Sequence, residues 1–364
     1  MMSAFKIAVF EGDGIGPEIM KPTVDLLRRM SSVAKTYDLT FENLPGGAGC
    51  YMDMGESLPK TSLAVAGAAD AILLSAMGLP DIRYPDGTEI TPQIDLRMAF
   101  DLFAGIRPVR IPPGGLSPLK MPAGKSVDFV LVRESTEGLF YTQGKGKVEH
   151  DEARETLRIT RGTSEKLFEF AFNLATDRKA QGQGTGRVTC VDKANVFRAF
   201  AFFREIFDKT AREHPAIEAD HAYVDAMALW MVQRPWDFDV LVTENMFGDI
   251  LSDLGAGLMG GLGVAPSADI GQDHAVFQPC HGSAPDIAGL GAANPFAMVL
   301  SAAMMLDWLG LRHNNTEMAK DAARLREAVD GQIIGRKALT GDIGGTARTD
   351  EAVAALTDAL FAAA

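Results

Sequence analysis

Asp249 and Asp253 stand four residues apart in ENMFGDILSDLGAGLMGGLG, a spacing that puts both carboxylates on one face of a helix. Hard carboxylate oxygens suit Mg²⁺ or Mn²⁺, which take one or two protein carboxylates and fill the rest of their shell with water and substrate oxygens. An isolated pair of this kind is ordinarily a solvated helix face. Three arginines change that balance: Arg97 in TPQIDLRMAFDLFAGIRP, Arg107 near its end, and Arg133 at the end of an apolar strand, followed by Glu134. Each guanidinium is a rigid fork of donors that matches a carboxylate bidentately. One such arginine is a surface charge; three beside a divalent metal make a clamp for a substrate with more than one carboxylate.

Two further segments add to the set. VDKANVFRAF places Lys193 just past a strand end, where α/β folds put ligands, and a lysine among cations is pushed toward its neutral form, which suits proton transfer. HAYVDAMALW places Asp225 after a strand, a third carboxylate to join the other two. HGSAPDIAGLGAANP, from His281 to Pro295, is rich in Gly, Ala and Pro with an acid in its middle, a backbone that can approach a ligand closely. EGDGIGPE is weaker: Gly12, Gly14 and Gly16 are spaced G-x-G-x-G, which is neither the dinucleotide fingerprint nor a phosphate loop. Its glycines fit a tight strand-to-helix turn, with Pro17 in the first helical turn.

The elements that must hold these residues follow an α/β rhythm. Strands are expected at Lys6 to Phe10, Ala71 to Ala76, Val127 to Arg133, Gly186 to Val191, Asp239 to Thr243 and Ala275 to Pro279. Helices are expected through about Met30, ending near Phe103, and in the tail, including Ala297 to Leu309. FYTQGKGKVEHDEARETLRITR, Phe140 to Arg161, breaks the rhythm with two extended stretches around a turn and little apolar surface. It reads as a projecting hairpin that packs on another subunit, or else as a solvent-exposed loop.

With 364 residues and 47% hydrophobic content, the chain can bury the core of two domains or one large one. A net charge of −13 excludes a general nucleic-acid surface. Cys50, Cys190 and Cys280 are odd in number and far apart, so neither disulfides nor zinc are implied and a reducing compartment, the cytoplasm, is expected. No apolar run approaches the ~20 residues of a membrane helix, and MMSAFKIAVFEGDG reads as a first strand and not as an export signal. Asn314-Asn315-Thr316 is therefore read as a plain loop and not a glycosylation site.

GDGIGPE, LR…RP, RESTEG, VDKANV, YVDAM, NMFGDILSD and HGSAPDIAG…ANP occur in this order across essentially the whole chain. The set resembles the β-decarboxylating dehydrogenases, the family of isopropylmalate, isocitrate, homoisocitrate, tartrate and D-malate dehydrogenases, with the isopropylmalate branch nearest. The resemblance implies a two-domain α/β subunit with a non-Rossmann nucleotide site. Residues 1–102 with 260–364 would form the cofactor-binding domain, and 103–259 the substrate, metal and dimerisation domain with a hairpin arm at about 140–161. It also implies a homodimer with shared active sites, into which Lys193 and Asp225 of each chain reach across the interface.

By the same resemblance, Asp249, Asp253 and the partner's Asp225 hold Mg²⁺ or Mn²⁺, which chelates the C2 hydroxyl and C1 carboxylate of a 2-hydroxy diacid. Arg97, Arg107 and Arg133 hold the carboxylates, including the one lost as CO₂, and Lys193 handles the hydroxyl proton while hydride passes to a nicotinamide. Asp286 would accept the ribose hydroxyls, which favours NAD because a carboxylate there repels the 2′-phosphate of NADP. His281 would pack near the adenine, and Gly282, Ile287, Asn294, Asp342 and Asn195 complete the implied cofactor contacts. A catalytically weak regulatory or binding paralogue is the rival reading; a simple hydroxy-acid dehydrogenase would need the absent G-x-G-x-x-G fingerprint.

Two positions depart from the family pattern. Phe140 stands where the family has a tyrosine that helps protonate the enolate carbon, with Tyr141 next to it. Phenylalanine cannot donate a proton, so Tyr141 takes over, water does, or carbon protonation is slow. Ahead of Arg97, Gln93 and Ile94, with Thr91 nearby, stand where the isopropylmalate branch has leucines that hold the isopropyl group. Thr91 and Gln93 imply a small or polar C3 substituent, because a buried amide facing an alkyl group forfeits ~1 to 3 kcal/mol.

Overall fold

The computed structural model describes residues 2–362. Its strands are β1 (Ser3–Phe10), β2 (Tyr37–Asn43), β3 (Ala71–Leu74), β4 (Ala104–Ile111), β5 (Val127–Glu134), β6 (Lys147–Val148), β7 (Ala153–Arg154), β8 (Arg187–Asp192), β9 (Glu218–Tyr223), β10 (Val240–Thr243), β11 (Pro266–Ile270) and β12 (Ala275–Pro279). The helices are α1 (Gly16–Val33), α2 (Ala48–Met54), α3 (Lys60–Gly67), α4 (Pro92–Ala99), α5 (Arg161–Ala180), α6 (Arg198–Ala211), α7 (Val224–Gln233), α8 (Asn245–Leu258), α9 (Phe296–Arg312), α10 (Thr316–Gly335) and α11 (Thr349–Phe361). Among these described residues, no helix is long and apolar enough to cross a membrane.

Ten strands form one sheet in the order β2-β1-β3-β12-β11-β4-β5-β10-β8-β9. Four at one end are parallel to one another, and four at the other end likewise. The two sets meet through antiparallel pairings of β12 with β11, β11 with β4, and β4 with β5. β3 (AILL) and β10 (VLVT) are buried along their whole length, the continuous apolar run expected of strands covered on both faces. α9 packs on β11 and β12, and α8 on β4 and β5.

The expected strands are all present to within three residues at either end, and the 140–161 segment does form a hairpin, with Lys147 opposite Arg154 and Val148 opposite Ala153. β2, β4 and β11 escape a sequence reading. β4 (AGIRPVRI) carries two arginines and a proline, and β11 (PSADI) a serine and an aspartate; their charges are tolerated because Arg107 pairs with Asp269 inside the sheet and Arg110 with Asp330 of α10. The helix expected to end near Phe103 is the short α4, which ends at Ala99. Asn315 is no plain loop residue: its side chain caps α10, accepting from the backbone N–H of Glu317 and Met318.

The turn after β1 positions two loops. Asp13, 6% exposed, accepts backbone N–H groups from Ala48 (2.7 Å), Gly49 (2.8 Å) and Gly78 (2.7 Å). Gly14, at φ +58°, runs so close to the 281–286 loop that a Cβ would lie 2.0 Å from the Ser283 carbonyl oxygen. Ile15 N–H donates to that same carbonyl at 2.8 Å. Glycine is needed here for both reasons, and α1 starts at once with proline in its first turn. Replacing Asp13 with Ala strands three amides, so Asp13→Ala should lower stability by about 3 kcal/mol in urea unfolding, with Asp13→Asn intermediate.

Candidate active site

Arg97 from α4, Arg107 from β4 and Arg133 from the end of β5 converge on one cavity of about 180 Å³ at the antiparallel seam of the sheet. All three are buried. Asp249, Asp253, Gln93, His281 and Gly282 line the same cavity. Behind the arginines lies a residue that the sequence did not single out: Asp269 on β11, wholly inaccessible to solvent. Arg97 Nε donates to its Oδ2 at 3.0 Å and Arg107 Nη2 to its Oδ1 at 3.3 Å. Gln278, on the neighbouring β12, donates Nε2 to Oδ2 at 2.7 Å.

The three cations are not equally served by this anion. Burial would raise the Asp269 carboxyl, but the charges of Arg97, Arg107 and Arg133 outweigh it and hold it at about 2. Burial lowers Arg107, and the charge of Asp269 more than reverses that. Arg133 goes the other way: burial and then the charge of Arg97 bring it down to about 10. Its partners are Asn245 Oδ1, at 2.7 Å from Nη2, and Asp249, bonded to Nη1. Its Nε is buried without a partner. Arg133 therefore keeps unmet donor capacity at the cavity, a property of an anion site, while the three arginines and the carboxylates of Asp249, Asp253 and Asp269 balance until a cation joins the α8 pair.

α8 supplies the carboxylates. Glu244 caps its start through Phe247 N–H, and the buried side is Gly248, Leu251, Ser252, Gly255 and Ala256, which turns Asp249 and Asp253 together toward the cavity. Gly248 is required by close packing: a Cβ would come within 2.5 Å of Arg133 Cγ and 2.7 Å of its Cβ. Desolvation and then the charge of Asp249 raise the Asp253 carboxyl, a like-charge strain that a divalent cation at this pair would relieve. Two carboxylates of one chain, with room for water and substrate oxygens, fit Mg²⁺ or Mn²⁺. Among the described residues of a single chain, no group of three His, Cys, Asp or Glu side chains is placed to hold a metal.

Lys193 and Asp225 do not join this cavity within the chain. β8 and β9 run parallel with Asp192 opposite Tyr223, so the two residues that follow come off the same edge, and Lys193 Nζ donates to Asp225 Oδ1. That hydrogen bond, first among the causes, lowers the Asp225 carboxyl. Around Lys193 lie Asp225 and, at 5.9 Å, the Tyr223 ring, over which Arg204 also sits at 5.2 Å. Asn195 is exposed just beyond. Tyr141 is 46% exposed, with the Arg158 guanidinium 4.1 Å over its ring, and it does not line the cavity of its own chain. Thr91 precedes α4 without capping it through its side chain.

On the cofactor side, His281 Nδ1 lies 3.0 Å from the Gly282 carbonyl while its Nε2 is buried and unpartnered. Burial lowers its pKa, against the charge of Asp342. Asn294 Nδ2 donates to Asp342 Oδ2 at 3.0 Å, so these two hold each other. Asp286 is exposed on a short helical turn, Pro285–Ile287, that no side chain caps. An unmet ring nitrogen beside an exposed carboxylate and a turn lined by Ile287 fits an adenosine, with its apolar face and ribose hydroxyls.

Residues 6–359 match the isocitrate/isopropylmalate dehydrogenase family. The chain belongs to that family. A 3-isopropylmalate/3-methylmalate dehydrogenase of Methanocaldococcus jannaschii is 40% identical over 95% of this chain and 96% of its own length. A homoisocitrate dehydrogenase of the same organism is 38% identical over 95% of both. The crystal structure of an isocitrate dehydrogenase from Methylococcus capsulatus superposes with a TM-score of 0.83 at 34% identity, over 98% of this chain and 99% of that one. Members of the isocitrate/isopropylmalate dehydrogenase family are decarboxylating oxidoreductases that use NAD and a divalent metal.

Gln278 had a readable signal, a polar residue inside an otherwise apolar strand that was expected from the sequence, whereas Asp269 lies on β11, which was not. Cys280, at the cavity wall, had none. In an ordinary helix Gly→Ala is stabilising by about 1 kcal/mol. Gly248→Ala in this family member should instead displace Arg133 and raise KM for the acid by at least about tenfold with an intact far-UV spectrum.

Proposed function

We propose that the chain catalyses NAD-linked, divalent-metal-dependent oxidative decarboxylation of a D-malate-type 2-hydroxy diacid bearing a small or polar group at C3. The observation that supports this best is the cavity lined by three buried arginines and the two α8 carboxylates, with Asp269 as a permanent counter-ion behind the arginines. Arg97, Arg107 and Arg133 bind and orient the carboxylates, and the departing carboxylate lies among them. Asp249 and Asp253 hold the metal; His281, Gly282, Asp286, Ile287, Asn294, Asp342 and Asn195 frame the NAD. When bound, the nicotinamide accepts a hydride from C2 and the divalent ion lowers the pKa of the C2 hydroxyl.

A homodimer completes the site in this reading. Met246 and Ile250 flank Asp249 on α8 and are exposed, as are Leu229 and Val232 on the adjacent α7. Apolar side chains grouped beside half a metal site argue for a second copy covering them, which brings in Lys193 for the hydroxyl proton and Asp225 as the third ligand. Tyr141 and the exposed hairpin belong to that same interface. The division into residues 1–102 with 260–364 and 103–259 is supported by the sheet, whose two parallel sets these segments build.

Gln93 Oε1 is buried in the cavity without a partner, which favours a polar C3 group such as hydroxyl. Leu74, Ala76 and Met77 also line the wall and favour a second reading, a small 3-alkylmalate, as the M. jannaschii relative's name suggests. Steady-state kinetics with Mn²⁺ and either NAD or NADP, on D-malate, tartrate, isocitrate, 3-methylmalate and 3-isopropylmalate, decide between them. Strong preference for isopropylmalate sinks the polar-group reading, and no NADH from any acid leaves a catalytically weak paralogue.

The shared site has its own test. Asp249→Asn and Asp225→Asn should each be inactive as homodimers while Asp249→Asn still binds NAD. Mixed and re-associated, they should recover about a quarter of wild-type activity, because half the dimers then carry one intact site. A site built within one chain would recover nothing.

A further inference from the structure

We propose that Asp269 sets the number of negative charges the substrate carries: by offsetting one of the two charges of Arg97 and Arg107 from behind, it matches the metal-loaded cavity to a dicarboxylate and against a tricarboxylate. This rests on the reading of the cavity as a hydroxy-diacid site and deepens it. Asp269 has no solvent exposure and its carboxylate is saturated by Arg97 Nε, Arg107 Nη2 and Gln278 Nε2. It cannot touch substrate; it is a positioning residue that acts through the arginines. Its charge is fixed and, being buried, is little screened by salt. Asp249 and Asp253 face the opposite side of the arginines, where a divalent ion offsets them. What remains for the substrate is the unmet Arg133, with its free Nε, and the residual charge of the other two.

A purely structural role for Asp269 would be a weak reason to keep a buried ion here, because burying charges costs nearly as much as their pairing returns. The neighbour on β12 supplies a control: Gln278 Nε2 lies 2.7 Å from Asp269 Oδ2 and Gln278 also borders the cavity, so the same charge can be moved across one strand pair while staying beside the arginine cluster. Charge count is thereby separable from residue identity.

The test uses the wild-type and variant enzymes with Mg²⁺ and NAD at pH 8, and titrates succinate and tricarballylate by calorimetry. Neither acid has a C2 hydroxyl, so neither is oxidised and the result is independent of which hydroxy acid is turned over. Asp269→Asn should shift the ratio of tricarballylate to succinate affinity toward the trianion by about tenfold, as expected for one charge ~10 Å away at an effective dielectric near 20. Asp269→Asn with Gln278→Glu should return it to within about twofold of wild type. If Asp269→Asn does not fold, Asp269→Ser, which removes the same charge, takes its place. An unchanged ratio in the folded single variant, or a double variant that stays shifted, overturns this inference alone; failure of the wild type to bind either acid overturns it together with the proposed function.

Discussion

Three buried guanidinium groups around one cavity are the constraint to which the rest of this structure answers. Like charges this close cannot be buried without compensation, and the fold supplies it from two sides. Asp269 stands behind Arg97 and Arg107, and Asp249 with Asn245 stands in front of Arg133. The antiparallel seam makes the first arrangement possible, because it sets β11 directly beside β4 and so places an acid next to Arg107. Gly248 makes the second possible by letting α8 lie against the Arg133 stem. What is left uncompensated is the binding site.

Much of this was legible in the residues. The α/β rhythm, the hairpin, the i,i+4 aspartates and the arginine set were all readable because each depends on local periodicity or on a side chain whose chemistry is unusual for its place. β4 and β11 were not, since the apolar pattern that marks a strand is broken in both by charged residues whose partners lie in the other strand or in α4. Pairing between segments 161 or more residues apart leaves no local trace. The separation of Lys193 and Asp225 from the cavity of their own chain was likewise invisible to composition and spacing, and entered only through family resemblance.

Family membership also explains why single motifs here are weak and the ensemble strong. The G-x-G-x-G turn is used for backbone contact with the 281–286 loop and with the end of β3, through Gly14 and Asp13. Its glycines serve the packing of loops around a ligand. A fingerprint search tuned to the ordinary dinucleotide turn would pass over this fold.

The stretch from Gly78 to Thr91 contains no helix or long strand, yet its ends are fastened: Gly78 by the Asp13 carboxylate and the Ser283 hydroxyl, Thr91 by the start of α4. Of the residues between, Ile90 alone is fully buried. A strap tied at both ends and nearly free of core contacts can drift in sequence over generations without disturbing the arginines. Divergence of substrate preference among descendants of one ancestral enzyme would then concentrate where this strap ends, in the first turn of the helix it leads into, which carries Gln93 to the cavity.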